Sequence, residues 1–306
     1  MLTNDAGLVI AGAGRASAGL QRALRQLPEG GLERQAVEAG EIDAVIDYVG
    51  ANVFMFPVAQ RALRAAASRA AAASARATLE CAASNKLLAA LPRAEYRRLL
   101  PSLEPVELEF GEVLCELRAP IRHVYFPVDC VVCLLTETDD RRTVETGQFG
   151  HEGMLGTSLA LGADVSSVRA MVQVAGTALR MPAARFMSEI RRGLRLQREV
   201  YRYANAKLAQ ARQDAACMAS HLLEQRLACW LLMTFDRSRS QEIPLTQEYL
   251  AAVLNVRRES VTQAAGTLRS RDFISYSRGR IGLLDRKGLE SASCSCYRSI
   301  AATRSA

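Results

Sequence analysis

The sequence predicts an α+β chain in which a run of short antiparallel strands leads into one long helix and then a small helical end closed by a hairpin. Three observations carry this. Short alternating segments between Val106 and Met181 are punctuated by turn residues, the period becomes helical from Met187 to about Ala219, and two short helical segments precede a strand pair between Thr246 and Leu284. Strands so short and closely spaced suggest an antiparallel barrel or roll.

At 306 residues and 49% hydrophobic content, the chain is long enough for two folded domains at roughly 150 residues each. No uninterrupted apolar run approaches the roughly 20 residues that span a bilayer. The apolar stretch Gly7–Ala13 lacks the basic flank of a secretion signal, so a cytoplasmic location without a membrane is the expectation. The eight cysteines, Cys81, Cys115, Cys130, Cys133, Cys217, Cys229, Cys294 and Cys296, mostly stand singly in apolar stretches and read as reduced thiols. The net charge of +7 is uneven. Residues 236–306 hold twelve Arg and Lys against seven Asp and Glu, whereas residues 1–80 hold eight of each. The positive field therefore belongs to the C-terminal end, where it attracts a polyanion.

Residues 1–84 form an N-terminal extension to which the sequence assigns no role. Gln21–Gln26 resembles a short helix, and Ile42–Asp47 with Val53–Phe56 resembles a hairpin around Gly50. Pro57 suits a helix start ahead of the alanine-rich run Ala62–Ala77. A helix from Leu87 to about Leu99, interrupted at Pro92, opens the next segment, residues 85–192. There Val106, Leu108 and Phe110 alternate with charged residues. Further strands are read at Val113–Leu117, His123–Phe126, Val168–Val174 and Thr177–Met181, with turns at Gly111, Pro120, Pro127, Gly147 and Gly176. Residues 193–219 read as the long helix. Leu194, Val200 with Tyr201, Leu208, and Ala215 with Met218 recur at about seven-residue spacing, a seam suited to a partner helix. The apolar run Leu222–Phe235 begins the last segment, 220–306, as a buried helix.

In that segment Thr246 can cap a helix from Gln247 to Val253, Ala251 permits a close crossing, and Asn255 tolerates a left-handed turn. A second helix, about Arg257 to Arg269, turns Val261 and Leu268 inward with Ala264 and Ala265. Its other face carries Arg258, Glu259, Thr262 and Gln263. Arginine can bond guanine O6 and N7 together, glutamate can accept from cytosine N4, and glutamine can pair with adenine. Arg258, Glu259 and Gln263 are therefore expected to read bases of double-stranded DNA. Thr246, Arg257, Ser260, Thr262 and Arg269 are expected at phosphates. Phe273–Tyr276 and Arg280–Leu284 form a strand pair around Ser277-Arg278-Gly279, a wing that adds Arg278 and Arg280 to the phosphate contacts. This is a winged helix-turn-helix.

From Ser84 to Glu290 the chain resembles the Crp/Fnr family of bacterial transcription regulators. Arg258-Glu259-Ser260-Val261 is similar to that family's Arg-Glu-Thr/Ser-Val signature, with Gln263 at a third base-contacting position. Phe110-Gly111-Glu112, Val124-Tyr125-Phe126 and Gly153-Met154-Leu155-Gly156 are further landmarks. The resemblance implies a cupin-like β-roll or barrel as sensor domain, a long dimerisation helix and a winged helix-turn-helix. It also implies a homodimer on a near-palindromic site, with RNA polymerase as partner and no catalysis.

The effector is not given by the resemblance. Cyclic-nucleotide binders of the family carry a glutamate where Thr157 stands, and an Arg-Ser pair where Ser166-Ser167-Val168-Arg169 stands, so cyclic AMP is not expected. Gly153, Met154, Gly156, Thr157 and Arg169 are the candidate lining of an effector pocket. No cofactor is expected. Cys130 and Cys133 have CxxC spacing in a strand pattern that points them to opposite faces, and Cys294 and Cys296 have no histidine near them in sequence, so no metal site is expected. His123, His151 and His221 lie far apart. Gly12-Ala13-Gly14 lacks the third glycine and the βαβ unit of a dinucleotide loop. Two competing readings remain, a ligand-binding or protein-interaction module without sequence-specific DNA binding, and a redox enzyme using Cys130 and Cys133.

Overall fold

The computed structural model describes residues 44–47, 52–55, 84–138, 143–238 and 240–305, and the chain divides into two units, 1–74 and 75–306. In the first unit β1 (Ala44–Asp47) pairs antiparallel with β2 (Asn52–Met55), Ala44 opposite Met55, which is the hairpin expected there. The helices expected at Gln21–Gln26 and Ala62–Ala77 lie outside the described residues.

The second unit opens with α1 (Lys86–Ala89), whose cap Asn85 is fully buried. The Asn85 carboxamide accepts from the Leu88 amide and donates to the carbonyls of Pro127 and Gly153, both at 2.9 Å. One polar side chain thus ties the helix start to two loops while satisfying its own buried donors. Pro92 then starts α2 (Arg93–Leu99), as its fixed φ allows.

Seven strands follow: β3 (Glu104–Leu108), β4 (Val113–Cys115), β5 (His123–Pro127), β6 (Val131–Glu137), β7 (Thr143–Phe149), β8 (Arg169–Val174) and β9 (Gly176–Pro182), with the short helix α3 (Thr157–Ala160) between β7 and β8. They build two antiparallel sheets, ordered β3-β9-β5 and β4-β8-β6-β7. The expected barrel or closed roll is not formed. Each sheet ends in its own edge strands, and among the described residues bridging outside the ladders is confined to the isolated pairs Pro120–Val165 and Tyr125–Leu155. Closure needs a continuous, evenly staggered ladder all the way round. Here register shifts at Val131/Val132, Leu134/Leu135 and Val113/Cys115 interrupt the larger sheet instead. Between the sheets lies an apolar layer that includes Leu108, Cys130, Val132, Phe149, Val172 and Ala178.

The helical pattern read from Met187 to about Ala219 is carried by two helices, the longer one close to the expected 193–219. Met187 belongs to α4 (Ala183–Arg192), which ends at Gly193, and the long α5 (Leu194–Ser220) begins after it. Leu196 and Val200 of α5 are buried against Phe126, Met181, Phe186 and Ile190. The sequence grouped Val200 with the seam residues, but Val200 faces this core, and it is Tyr201 that stands outside with Leu194, Leu208 and Ala215.

The remaining elements are α6 (Leu223–Ser238), β10 (Glu242–Pro244), α7 (Gln247–Leu254), α8 (Arg258–Ser270), β11 (Ile274–Ser277), β12 (Arg280–Leu283), α9 (Arg286–Ala292) and α10 (Cys296–Ser305). Leu227, Leu231 and Leu232 of α6 are fully buried among α7, α8 and the three-stranded sheet β10-β12-β11. Val131 and Val174, from the larger strand sheet, belong to this same core. Among the described residues no helix is long and apolar enough to cross a membrane.

Candidate nucleic-acid interface and cavity

Thr246 caps α7, its Oγ1 accepting from the Tyr249 amide at 3.1 Å. The helix stops because Asn255 takes the left-handed conformation, φ 51° and ψ 54°, which asparagine tolerates better than most side chains. Val261, Ala264, Ala265 and Leu268 of α8 are buried against α6 and α7. Each large side chain so buried contributes about 1.5–3 kcal/mol. That face is spent on packing, and Arg258, Glu259, Thr262 and Gln263 are left exposed on the other, as the sequence required.

The wing is a two-residue hairpin. Ser277 faces Arg280, and Arg278 and Gly279 both have positive φ, 49° and 71°, the combination whose twist matches paired strands. The Gly279 carbonyl accepts from the Leu245 amide at 2.7 Å, which seats the turn beside the Thr246 cap. The positive charge of Arg258 opposes the rise that burial gives the Tyr276 phenol, so the start of α8 and strand β11 share one electrostatic neighbourhood. The start of α8 and the wing therefore lie on adjoining parts of one surface.

The phosphate candidates differ in their commitments. Arg257, Arg269 and Arg278 are exposed. Arg280 lies 4.0 Å from Glu242, also exposed. The Thr262 hydroxyl is within 3.0 Å of both Gln247 Oε1 and the Arg258 carbonyl, and Ser260 is half-buried with its amide bonded to the Arg257 carbonyl.

A cavity of about 270 Å³ opens between the strands and α5. Met154, Gly156 and Thr157 line it, joined by Ser166 and, from α5, Tyr203 and Lys207. Gly156 has φ 92°, and a Cβ there would sit 2.7 Å from Val124 Cγ1. Gly153 is not on the cavity wall; a Cβ on it would overlap the Tyr203 ring, so this glycine lets α5 approach the loop. Arg169 does not line the cavity either and lies 3.3 Å from Glu116.

Behind Lys207 is a buried polar network. Its ammonium donates to the Gln148 carbonyl at 2.7 Å and to Gln210 Oε1 at 3.0 Å. Burial and the neighbouring Arg237 lower its pKa to about 8. Arg237 of α6 is fully buried and donates to Glu152 Oε1 at 2.7 Å, to the Met233 carbonyl at 3.0 Å and to Gln210 Oε1 at 3.4 Å. Burial works against the Glu152 charge, but Arg237 and Lys207 outweigh it and hold the carboxyl at about 2. A second cavity of about 460 Å³ lies between β7, α5, α6 and the end of α7. Glu145 lines it and accepts from Trp230 Nε1 at 2.9 Å, and burial pushes its carboxyl up to about 8 against that bond.

Cys130 and Cys133 are both fully buried. Burial first, and then Asp129 and Glu145 respectively, push each thiol up to about 12, which removes the reactive thiolate that a redox enzyme would need. A different group of thiols comes together. Cys217 and His221 at the end of α5 meet Cys294 and Cys296 near the start of α10. The sequence paired no histidine with these cysteines because His221 stands 75 residues away from Cys296. The one local signal was the Cys217/His221 spacing of four, which puts both on one helix face.

Residues 225–292 match the family model of the Crp-like helix-turn-helix domain. No curated protein matches the chain. Among solved structures, the c-di-GMP responsive global regulator CLP of Xanthomonas campestris is similar over 63% of this chain and 99% of its own, with TM-score 0.52 and 15% identity. A CRP-family transcriptional regulator of Thermus thermophilus is similar over 61% of this chain and 96% of its own, with TM-score 0.52 and 18% identity. FixK2 of Bradyrhizobium japonicum is similar over 63% and 98%, with TM-score 0.50 and 15% identity. At such identities these likenesses concern the fold. Residues 225–292 thus carry a Crp-like helix-turn-helix domain, and the fold around it is shared with these solved structures.

Proposed function

We propose that two copies pair along α5 and place their α8 helices in successive major grooves of a near-palindromic site, with Arg258, Glu259 and Gln263 reading bases. Arg257, Arg269, Arg278 and Arg280 meet phosphates in this reading, with Thr246, Ser260 and Thr262 at the margin. The observation that carries it is the α8 face, which is exposed, polar and set beside the wing. Pairing is supported by Leu194, Tyr201, Leu208 and Ala215, which are exposed at intervals of seven along α5, with Met218 beside them. An apolar stripe at this spacing is what a second helix covers in a coiled coil.

A small molecule in the cavity at Met154, Gly156 and Thr157 would touch Tyr203 and Lys207 of α5, and so act on the helix pairing that spaces the two α8 helices. RNA polymerase is the partner on which such placement acts. Selection from random duplexes with the purified protein tests the reading. A two-fold symmetric motif with half-sites one helical turn apart is expected, and absence of any enriched motif at moderate salt would refute it.

A further inference from the structure

We propose that Cys217, His221, Cys294 and Cys296 form a structural site for one zinc ion. The four donor atoms lie within 4.8 Å of one another. Cys217 Sγ is 3.4 Å from Cys294 Sγ, and Cys296 Sγ is 3.6 Å from His221 Nδ1. In a tetrahedron with Zn–S of about 2.3 Å and Zn–N of about 2.1 Å, ligand atoms stand about 3.5–3.8 Å apart. The observed spacing therefore leaves room for a single ion, and three thiolates with one imidazole are the donor set of a closed zinc site.

The surroundings fit that role. Cys217, Cys294 and Cys296 are buried and His221 is half-buried, so water is largely kept from a fifth position. Gln213 Nε2 donates to Cys296 Sγ at 3.1 Å, the kind of outer hydrogen bond that holds a thiolate ligand in place. The Cys217 and Cys294 sulfurs are too far apart to be bonded to each other. Binding would replace the three S–H protons with the ion, giving three protons in solution and a site of net charge −1.

The placement gives the ion a purpose. The matched helix-turn-helix domain spans residues 225–292, and the four ligands flank it, two before and two after. Zinc would join the end of α5 to the start of α10 and so fix both ends of the DNA-binding module to the long helix.

The test uses the full-length protein purified with reductant and without chelator. Elemental analysis is expected to find about one zinc per chain. The double variant Cys294→Ser, Cys296→Ser should lose it, while Cys229→Ala, at a buried thiol beside the group, should keep it. Cobalt in place of zinc should give the strong visible bands of a tetrahedral ion with a thiolate charge-transfer band, shifted in His221→Ala, a readout that stands even if the double variant fails to fold. No bound zinc after incubation with the ion, zinc retained by the double variant, a cobalt spectrum without thiolate bands, or a mass lower by two hydrogens from a Cys217–Cys294 disulfide would each overturn the site.

Discussion

Glu152 and Arg237 form an enclosed ion pair, Oε1 to Nε at 2.7 Å, joining the loop after β7 to the last turn of α6. A buried arginine deprived of its partner keeps its charge, so Glu152→Gln is expected to cost about 3–5 kcal/mol in denaturant unfolding. The carboxyl is held at about 2, below its unfolded value. Its contribution is therefore complete above about pH 4.5 and lost as pH falls from there toward 2. Urea titrations across that range check both the size and the window, and a Glu152→Gln curve parallel to wild type would remove the pair from acid stability.

Glu145 behaves in the opposite sense. Its carboxyl is pushed up to about 8, so the folded state holds a proton that the unfolded chain releases, and stability falls as pH rises from about 4.5 to about 8. Glu145→Gln keeps an acceptor for Trp230 Nε1 and removes that fall. Gln173 Nε2 is 3.5 Å from Glu145 Oε2, and Gln173 Oε1 is buried without a partner, so a turned Gln173 amide can receive the new amide donor. The variant is expected to be more stable than wild type at pH 9 and equal to it near pH 4, by thermal unfolding.

Arg258→Ala is expected to cost about 1–3 kcal/mol on the preferred duplex and to relax preference at one base pair. Equal weakening on random DNA would make Arg258 a phosphate contact. Arg278→Ala at the wing tip should reduce the slope of log affinity against log salt by about one. Arg280→Ala is expected to change it less, since Glu242 at 4.0 Å already offsets part of that charge.

Leu208→Glu places a charge in the middle of the exposed α5 stripe and touches none of the buried core, so it should leave the fold intact. Sedimentation at micromolar concentration is expected to show single chains for the variant and pairs for wild type. Pairs formed by the variant would place the interface elsewhere.

The helix-turn-helix was legible in the sequence because its signals are local. Thr246, Asn255 and the Val261/Leu268 spacing each fix the chain within one or two turns, and α7 and α8 fall within a residue of their expected ends. The sheets were less legible. Thr143–Phe149 carries polar residues at strand positions because part of β7 packs on Trp230 and the Lys207 network rather than on an apolar layer. Closure was misread because whether edges meet depends on bulges and stagger accumulated over seven strands, which alternation alone does not report. Among the site residues, Gly153 and Arg169 are next to the cavity lining in sequence, but the Tyr203 ring and the Glu116 carboxylate claim them.

Val131 and Val174 sit in the core of the C-terminal helices although they belong to the strand sheet. A cut before α6 would strip apolar surface from both pieces at once, at about 25 cal/mol for each Å² newly wetted. The helix-turn-helix end is thus a poor candidate for grafting onto another domain.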